Sequence, residues 1–177
     1  VLQAEFNFFQ YDVMDFEHRF TPYVTLGIGM FWYNPYTIYD DKKYYLRPLG
    51  TEGQNYEEYK SRKYKSSAVA FPIGIGVKYW MSKGITLGFE VANRSTTTDY
   101  IDDVSTTYIG KDKFIDIEPS PYPTPSSLLQ DRSGEVTQTP IGIEGRQRGT
   151  KTTRDKYMMF QVTLSFRFPT YRCPGQR

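Results

Sequence analysis

The chain has 177 residues, with 22 Lys+Arg against 20 Asp+Glu, one cysteine and one histidine. The length fits a single domain, and a net charge of +2 leaves no basic footprint for nucleic acid. A lone Cys173 excludes an internal disulfide framework or a cysteine-rich zinc site, and a lone His18 excludes a multi-histidine metal centre.

Only 38% of the residues are hydrophobic, yet 17% are aromatic. Average globular chains are roughly 45–50% apolar, so there is little material here for a large core. No run approaches the roughly 18 apolar residues of a membrane helix. Five segments instead alternate with a period of two. In Val1–Phe9, Leu2, Ala4, Phe6 and Phe8 oppose Gln3, Glu5 and Asn7. In Thr21–Tyr33, Val24, Leu26, Ile28, Met30 and Trp32 alternate with Thr25, Gly27, Gly29 and Phe31. Ala68–Met81 sets Val69, Phe71, Ile73, Ile75 and Val77 against Ala70, Gly74, Gly76 and Lys78. Ile85–Arg94 sets Ile85, Leu87, Phe89 and Val91 against Thr86, Gly88 and Glu90. Last, Met158, Phe160, Val162, Leu164, Phe166 and Phe168 oppose Gln161, Thr163, Ser165 and Arg167. Alternation of this kind predicts half-buried strands, and no long segment has a helical period. The expected class is all-β.

The connections run short, long, short, long. Tyr11–Phe20 is brief and Ser82-Lys83-Gly84 is a tight turn. Asn34–Ser66 is long, polar and holds seven tyrosines, and Thr97–Asp155 is longer still. Structureless loops beyond about 12–15 residues are uncommon in compact soluble domains. Short periplasmic turns alternating with long outer loops are the expected pattern of an outer-membrane barrel. The second face of the strands supports that choice over a soluble lipid-binding barrel. It carries Gly27, Gly29, Gly74, Gly76 and Gly88 together with Glu5, Lys78, Glu90 and Arg167. Strand glycines contribute nothing to a solvent face but suit a narrow, side-chain-filled lumen.

This reading predicts a transmembrane, antiparallel, up-and-down β-barrel in one domain over residues 1–177. Five strands lie in this chain, and since a single-chain bacterial barrel has at least eight, about three are expected before Val1. Asn34–Ser66 and Thr97–Asp155 become outer loops and Pro169–Arg177 a periplasmic tail. An eight-stranded barrel has no open channel, so a porin is not expected. If the turn at Ser82–Gly84 closes a hairpin, Glu90 faces Gly76 and Lys78 faces Gly88. A luminal salt bridge Lys78–Glu90 follows, with a proton pathway as the functional alternative to simple filling. Trp32, Tyr33, Tyr36, Tyr79 and Trp80 sit at strand ends, as expected for the two interfacial girdles. Pro72 cannot donate to a ladder, so a bulge is expected there, or membrane pairing that begins just after it.

Several strings carry a resemblance. Thr21-Pro22-Tyr23-Val24, then Gly27-Ile28-Gly29 and Asn34-Pro35, resemble the signature of a Bacteroidetes outer-membrane barrel family, the PorG-like proteins of the type IX secretion system. Phe71–Tyr79 and Thr98–Tyr108 (TDYIDDVSTTY) match the same family. The resemblance implies an accessory or anchoring subunit of the secretion and gliding machinery, multi-pass in the outer membrane. It also implies association with a periplasmic ring built from a lipoprotein, PorK, and its partner PorN. The expected surroundings are outer-membrane lipids, with no nucleic acid, no small-molecule substrate and no cofactor.

Within the motif, Asp99, Asp102, Asp103 and Ser105 could offer oxygen ligands to a hard cation. The spacing is not that of an EF-hand, and Asp and Ser side chains readily satisfy turn backbones, which is the preferred reading. The two limbs of the second long loop differ in sign: Asp99–Glu118 has six acids and two bases, Arg146–Lys156 five bases and one acid. Opposite charge favours closing the loop on itself, with partner binding as the alternative. No GxSxG elbow is present and the one histidine lies in a periplasmic turn, so neither catalysis nor a catalytic residue is expected. Met14, Phe16 and His18 of that turn, and Tyr171, Arg172 and Cys173 of the tail, are candidate periplasmic partner contacts. An intermolecular disulfide through Cys173 is one form such a contact could take.

Overall fold

The computed structural model describes residues 1–10, 18–82, 84–114, 124–137 and 139–168. Every one of the five alternating segments forms a strand: β1 (Leu2–Asn7), β2 (Phe20–Trp32), β5 (Ser67–Ser82), β6 (Ile85–Thr96) and β7 (Lys156–Phe166), in one sheet of order β1-β2-β5-β6-β7. A separate two-stranded sheet holds β3 (Tyr36–Tyr39) and β4 (Lys42–Tyr45). The protein is all-β; among the described residues the short helices lie in the long connections, and no helix is long and apolar enough to cross a membrane.

Register explains why the alternation matters. β6 and β7 pair antiparallel so that Leu87 meets Leu164, Phe89 meets Val162 and Val91 meets Phe160, while Gly88 meets Thr163 and Glu90 meets Gln161. β1 and β2 do the same, with Leu2 opposite Ile28 and Phe6 opposite Val24 on one face, and Glu5 opposite Thr25 on the other. A slip of one residue would mix the faces at every rung. The apolar face is the exposed one: Phe6, Leu26, Ile28, Ile75, Phe160 and Val162 are all open.

The polar face is concave. Gln3 of β1 donates from Nε2 to Glu90 of β6 at 3.2 Å, across three inter-strand steps. In a flat sheet their backbones would lie about 14 Å apart, beyond the reach of two such side chains, so the sheet curls toward its polar side. β1 and β7 form its two edges, and the described strands do not close on each other.

β5 runs without interruption through Pro72, and its alternation keeps phase, with Phe71, Ile73 and Ile75 exposed and Ala70, Pro72 and Gly74 buried. The expected bulge is therefore absent. Pro72 points to the concave side, where Gly27 gives it room: a Cβ on Gly27 would lie 3.2 Å from Pro72 Cγ.

Two compact units divide the chain. One comprises the described parts of Val1–Gly29, Ala70–Ser95 and Lys156–Arg177; the other comprises those of Met30–Val69 and Thr96–Asp155. The second, the loop unit, contains both connections that read as long loops. Its β3–β4 turn places Asp40 and Asp41 at φ of 49° and 56°, the paired positive values of a two-residue I′ hairpin turn. Helices α1 (Leu46–Leu49) and α2 (Pro125–Leu129) follow. Gly50 ends α1 at φ 64° with its N–H on the Leu46 carbonyl, and Thr124 caps α2 by accepting from the Ser127 N–H. These loops are packed because their side chains supply the partners that a loop backbone needs.

Candidate functional site

On the concave face, Gln3, Glu5, Lys78, Thr86, Glu90 and Gln161 are among the residues around a polar cavity of about 340 Å³. Glu90 accepts from Tyr23 Oη at 3.1 Å and Thr25 Oγ1 at 3.2 Å, besides Gln3. Lys78 pairs with Glu5, and its ammonium lies 4.8 Å from the centre of the Tyr23 ring. The expected Lys78–Glu90 bridge is thus replaced by Lys78–Glu5, with neutral donors on Glu90. Both charges do share the polar face. The expectation considered one hairpin alone, whereas curvature brings β1 within reach of β5 and β6. The glycines fill their anticipated role with different occupants: a Cβ at Gly76 would fall 2.4 Å from Tyr23 Cζ, and one at Gly74 2.8 Å from Glu90 Oε1.

The strand-end aromatics divide. Trp32 is 74% exposed and Tyr36 and Tyr79 are open, but Trp80 is 1% exposed. Trp80 has the parity of Lys78 and therefore points to the concave side, where the Arg19 guanidinium lies 5.4 Å from its ring. Trp80 is not a girdle residue.

In the loop unit the motif Asp99–Tyr108 folds around two carboxylates. Glu52 is 0% exposed. Its oxygens accept the Ser105 N–H at 2.8 Å, the Thr106 N–H at 3.0 Å and the Thr106 hydroxyl at 2.6 Å. Tyr100 adds a hydroxyl at 3.3 Å, and Arg148 Nη1 lies at 3.4 Å. Asp103, equally buried and at φ 67°, accepts from the Thr51 hydroxyl and from Tyr64 Oη at 2.5 Å. Arg148 ties the two together, donating to the Asp103 carbonyl at 2.8 Å and to Thr51 Oγ1 at 2.9 Å, and from Nε to the Gln130 carbonyl at 3.1 Å. Arg62 donates to the carbonyls of Glu52 and Thr107. Tyr64 stacks on Tyr100 with centroids 4.5 Å apart and planes 6° from parallel, and Tyr33 continues the stack at 6.2 Å.

The other motif residues serve their own turn. Asp99 accepts from Ser105 Oγ at 2.6 Å, and Asp102 accepts from the Val104 N–H at 3.0 Å. Among the described residues no group of three or more His, Cys, Asp or Glu side chains is arranged to hold a metal ion. The limbs of the second loop do meet, through backbone and side chains: Thr107 bridges Gln147, the Tyr108 N–H donates to Arg146 O and the Arg148 N–H to Thr106 O, while the Asp155 carboxylate accepts the Ile101 N–H at 2.8 Å and the Arg148 guanidinium reaches the Asp103 carbonyl. The acid that Arg148 approaches comes from the first loop, at Glu52.

Burial sets the titration of this hub. It raises the Asp103 carboxyl, against the pull of the Thr51 and Tyr64 hydroxyls and Arg148. Burial and then the charge of Glu52 push the Tyr100 phenol up to about 12. Tyr64 is raised by burial and then by Asp103. Glu52, Arg148, Arg62, Tyr64 and Tyr100 had no signal as a group in the sequence, because they are scattered over both loops and belong to no period. Of the candidate partner contacts, His18 lies half-buried just before β2. Met14, Phe16, Tyr171, Arg172 and Cys173 lie outside the described residues.

A family model described as "Domain of unknown function (DUF6089)" matches residues 1–115. The chain belongs to this family. The matched span takes in β1, β2, β5, β6, the whole first loop and the Asp99–Ser105 motif, and so both hub carboxylates. Arg148 and β7 lie beyond it. No curated protein and no solved structure matches the chain.

Proposed function

We propose that the protein is a non-enzymatic β-barrel of the outer membrane, of eight strands. In this reading it is an accessory, anchoring subunit of the type IX secretion machinery, held to the periplasmic ring. The observation that carries the membrane part is the open apolar face of all five strands, with Leu26, Ile28, Ile73, Ile75, Phe160 and Val162 exposed. A monomer in water rarely exposes a contiguous apolar patch beyond a few hundred Å², whereas acyl chains solvate such a face without cost. The open ladders of β1 and β7 need partners, which barrel closure supplies. The concave face, where Lys78 pairs with Glu5 and Glu90 accepts from Gln3, Tyr23 and Thr25, has the polar filling of a small barrel.

The secretion part rests on the resemblance of the Thr21–Val24, Phe71–Tyr79 and Thr98–Tyr108 strings to PorG-like proteins. The turn with Met14, Phe16 and His18 and the tail with Tyr171, Arg172 and Cys173 would meet the ring. The test is affinity purification of the tagged protein from native membranes in mild detergent. Recovery of PorK- and PorN-like ring proteins is the expected result. A heat-modifiable barrel recovered without them would remove the secretion role and leave a second reading, a small barrel contacting an extracellular partner. The packed loop unit favours that alternative. Replacing Cys173→Ser checks the tail separately: a complex that migrates unchanged on a non-reducing gel discards the disulfide.

A further inference from the structure

After α1 the chain turns back on itself. Gly50 and Gly53 hold φ of 64° and 82°, and the Gly53 N–H donates to the Gly50 carbonyl at 2.8 Å. The reversal brings Asn55 against α1, where its Nδ2 donates to the Pro48 carbonyl at 3.0 Å. Together with Arg47, Gln54, Lys63 and Tyr64, these two residues line a cavity of about 300 Å³. All six belong to the loop unit. Most of the wall is fixed. Tyr64 lies between Tyr33 and Tyr100 in the ring stack and is tied through its hydroxyl to Asp103. Gln54 is 3% exposed, and its Oε1 accepts the Glu52 N–H at 2.9 Å. That bond settles which end of the amide is which, because a backbone N–H requires an acceptor.

The other end of that amide is unmatched. Gln54 Nε2 is buried and has no hydrogen-bond acceptor, which is costly for an amide donor and uncommon in a folded protein. Beside it, Arg47 and Lys63 are exposed, and among the described residues neither pairs with a carboxylate. Unpaired surface cations are ordinary; a buried donor without an acceptor in the same cavity is not. The cavity is thus lined by two cations and one neutral donor, and by no carboxylate. A ligand that completes these three offers acceptor oxygens and carries more than one negative charge. A phosphate monoester does both, with a charge of about −1.5 to −2 at neutral pH and three acceptor oxygens. Arg47 suits the planar, two-pronged contact and Lys63 the point charge. These two are also the long, exposed side chains of the cavity, so they yield to an incoming oxygen while the wall of Gln54 and Tyr64 stays in place. Preorganisation of that kind lowers the cost of binding.

We infer that this cavity of the loop unit binds a phosphate monoester, held by Arg47, Lys63 and the Gln54 amide. The inference is independent of the membrane reading, since every residue in it lies within the loop unit. The test is calorimetric titration of the full-length protein, in neutral detergent, with glycerol 3-phosphate at constant ionic strength. Saturable binding of one equivalent is expected, weakened about tenfold or more by Arg47→Gln and by Lys63→Gln. Lys42→Gln, which removes the same charge outside the cavity, should leave the affinity unchanged. Wild-type protein labelled at glutamine nitrogen gives a readout that needs no variant: the Gln54 side-chain amide protons should move downfield with the same saturation. Phosphatidic acid in the micelles separates the two sources of such a group. Displacement of glycerol 3-phosphate assigns the site to a lipid headgroup and its absence to a soluble ester, and saturable binding in either arm supports the site. No saturable binding in both arms overturns the inference, as does equal weakening by Lys42→Gln or a Gln54 amide that does not move. Glycerate bound as tightly as glycerol 3-phosphate overturns the choice of phosphate.

Discussion

Arg148 shows how single residues govern the loop unit. It brings a buried cation to the Glu52 carboxylate, the carbonyls of Asp103 and Gln130 and the Thr51 hydroxyl, and removing one member of a buried charge pair typically costs about 3–5 kcal/mol. Arg148→Met is expected to destabilise the loop unit by that amount, read as faster limited proteolysis between β6 and β7 and, on the proposed barrel reading, with the heat-modifiable shift retained. Glu52→Gln combined with Arg148→Met should recover part of the loss. Asp103 adds a pH dependence. Its carboxyl is raised from the ordinary 3.8 by burial, so the folded chain takes up its proton before the unfolded chain does. The stability it contributes is present below the ordinary value and lost as pH rises through the folded one. Wild type should therefore gain loop stability relative to Asp103→Asn as pH falls toward 3.8, in melts followed by tyrosine fluorescence. Tyr100, raised from 10 to about 12, behaves in the same sense at the alkaline end: its contribution is present below pH 10 and lost as pH rises through about 12. Its tyrosinate absorbance should appear late, and shift earlier in Glu52→Gln.

At the scale of elements, the glycines on the concave face decide how the strands curl. The Tyr23 ring lies over Gly76, and the Phe89 carbonyl oxygen would be 2.6 Å from any Cβ placed there. Gly76→Val is expected to cost about 1–3 kcal/mol by overpacking, measured as a lower temperature for loss of the heat-modifiable shift. Adding Tyr23→Ala should restore only part, since the Phe89 backbone remains. The hairpin offers the reverse case. Asp40 and Asp41 hold positive φ, which side chains tolerate poorly, and a two-residue I′ turn prefers Asn-Gly. Asp40→Asn with Asp41→Gly is expected to stabilise β3–β4 by on the order of 0.5–1 kcal/mol, seen as slower amide exchange at Tyr39 and Lys42.

For the whole molecule, the proposal turns on which face meets apolar surroundings. Leu26 and Thr163 lie on opposite faces of the sheet, the first exposed and apolar, the second beside the polar cavity. An arginine in place of a lipid-facing residue near the bilayer midplane costs about 2–4 kcal/mol. Leu26→Arg should reduce folding into vesicles by that amount, while Thr163→Arg should be tolerated. Equal tolerance at both positions would contradict a lipid-facing exterior.

The five strands were legible in the sequence because a period of two is a local property: each apolar residue implies the parity of its neighbours. The division into an apolar and a polar face follows from the same pattern, and register preserves it rung by rung. Pairing across the sheet was not legible. Glu5 meets Lys78, and Gln3 reaches Glu90, only because the sheet curls, and curvature depends on all the strands at once. Trp80 shows the limit even for parity: its place at a strand end argued for the membrane boundary, whereas its parity with Lys78 turns it inward. The hub of Glu52, Asp103 and Arg148 was least visible. The motif drew attention to Asp99–Ser105, but its principal partners are Glu52, from the first loop, and Arg148, far along the second. A composition of 38% hydrophobic residues excluded a large aliphatic core from the outset. Only the tertiary structure decided what stands in its place, which is an apolar exterior on the strands and buried charge in the loops. Buried charge is stable only where distant residues converge to satisfy it, and no local pattern records that convergence.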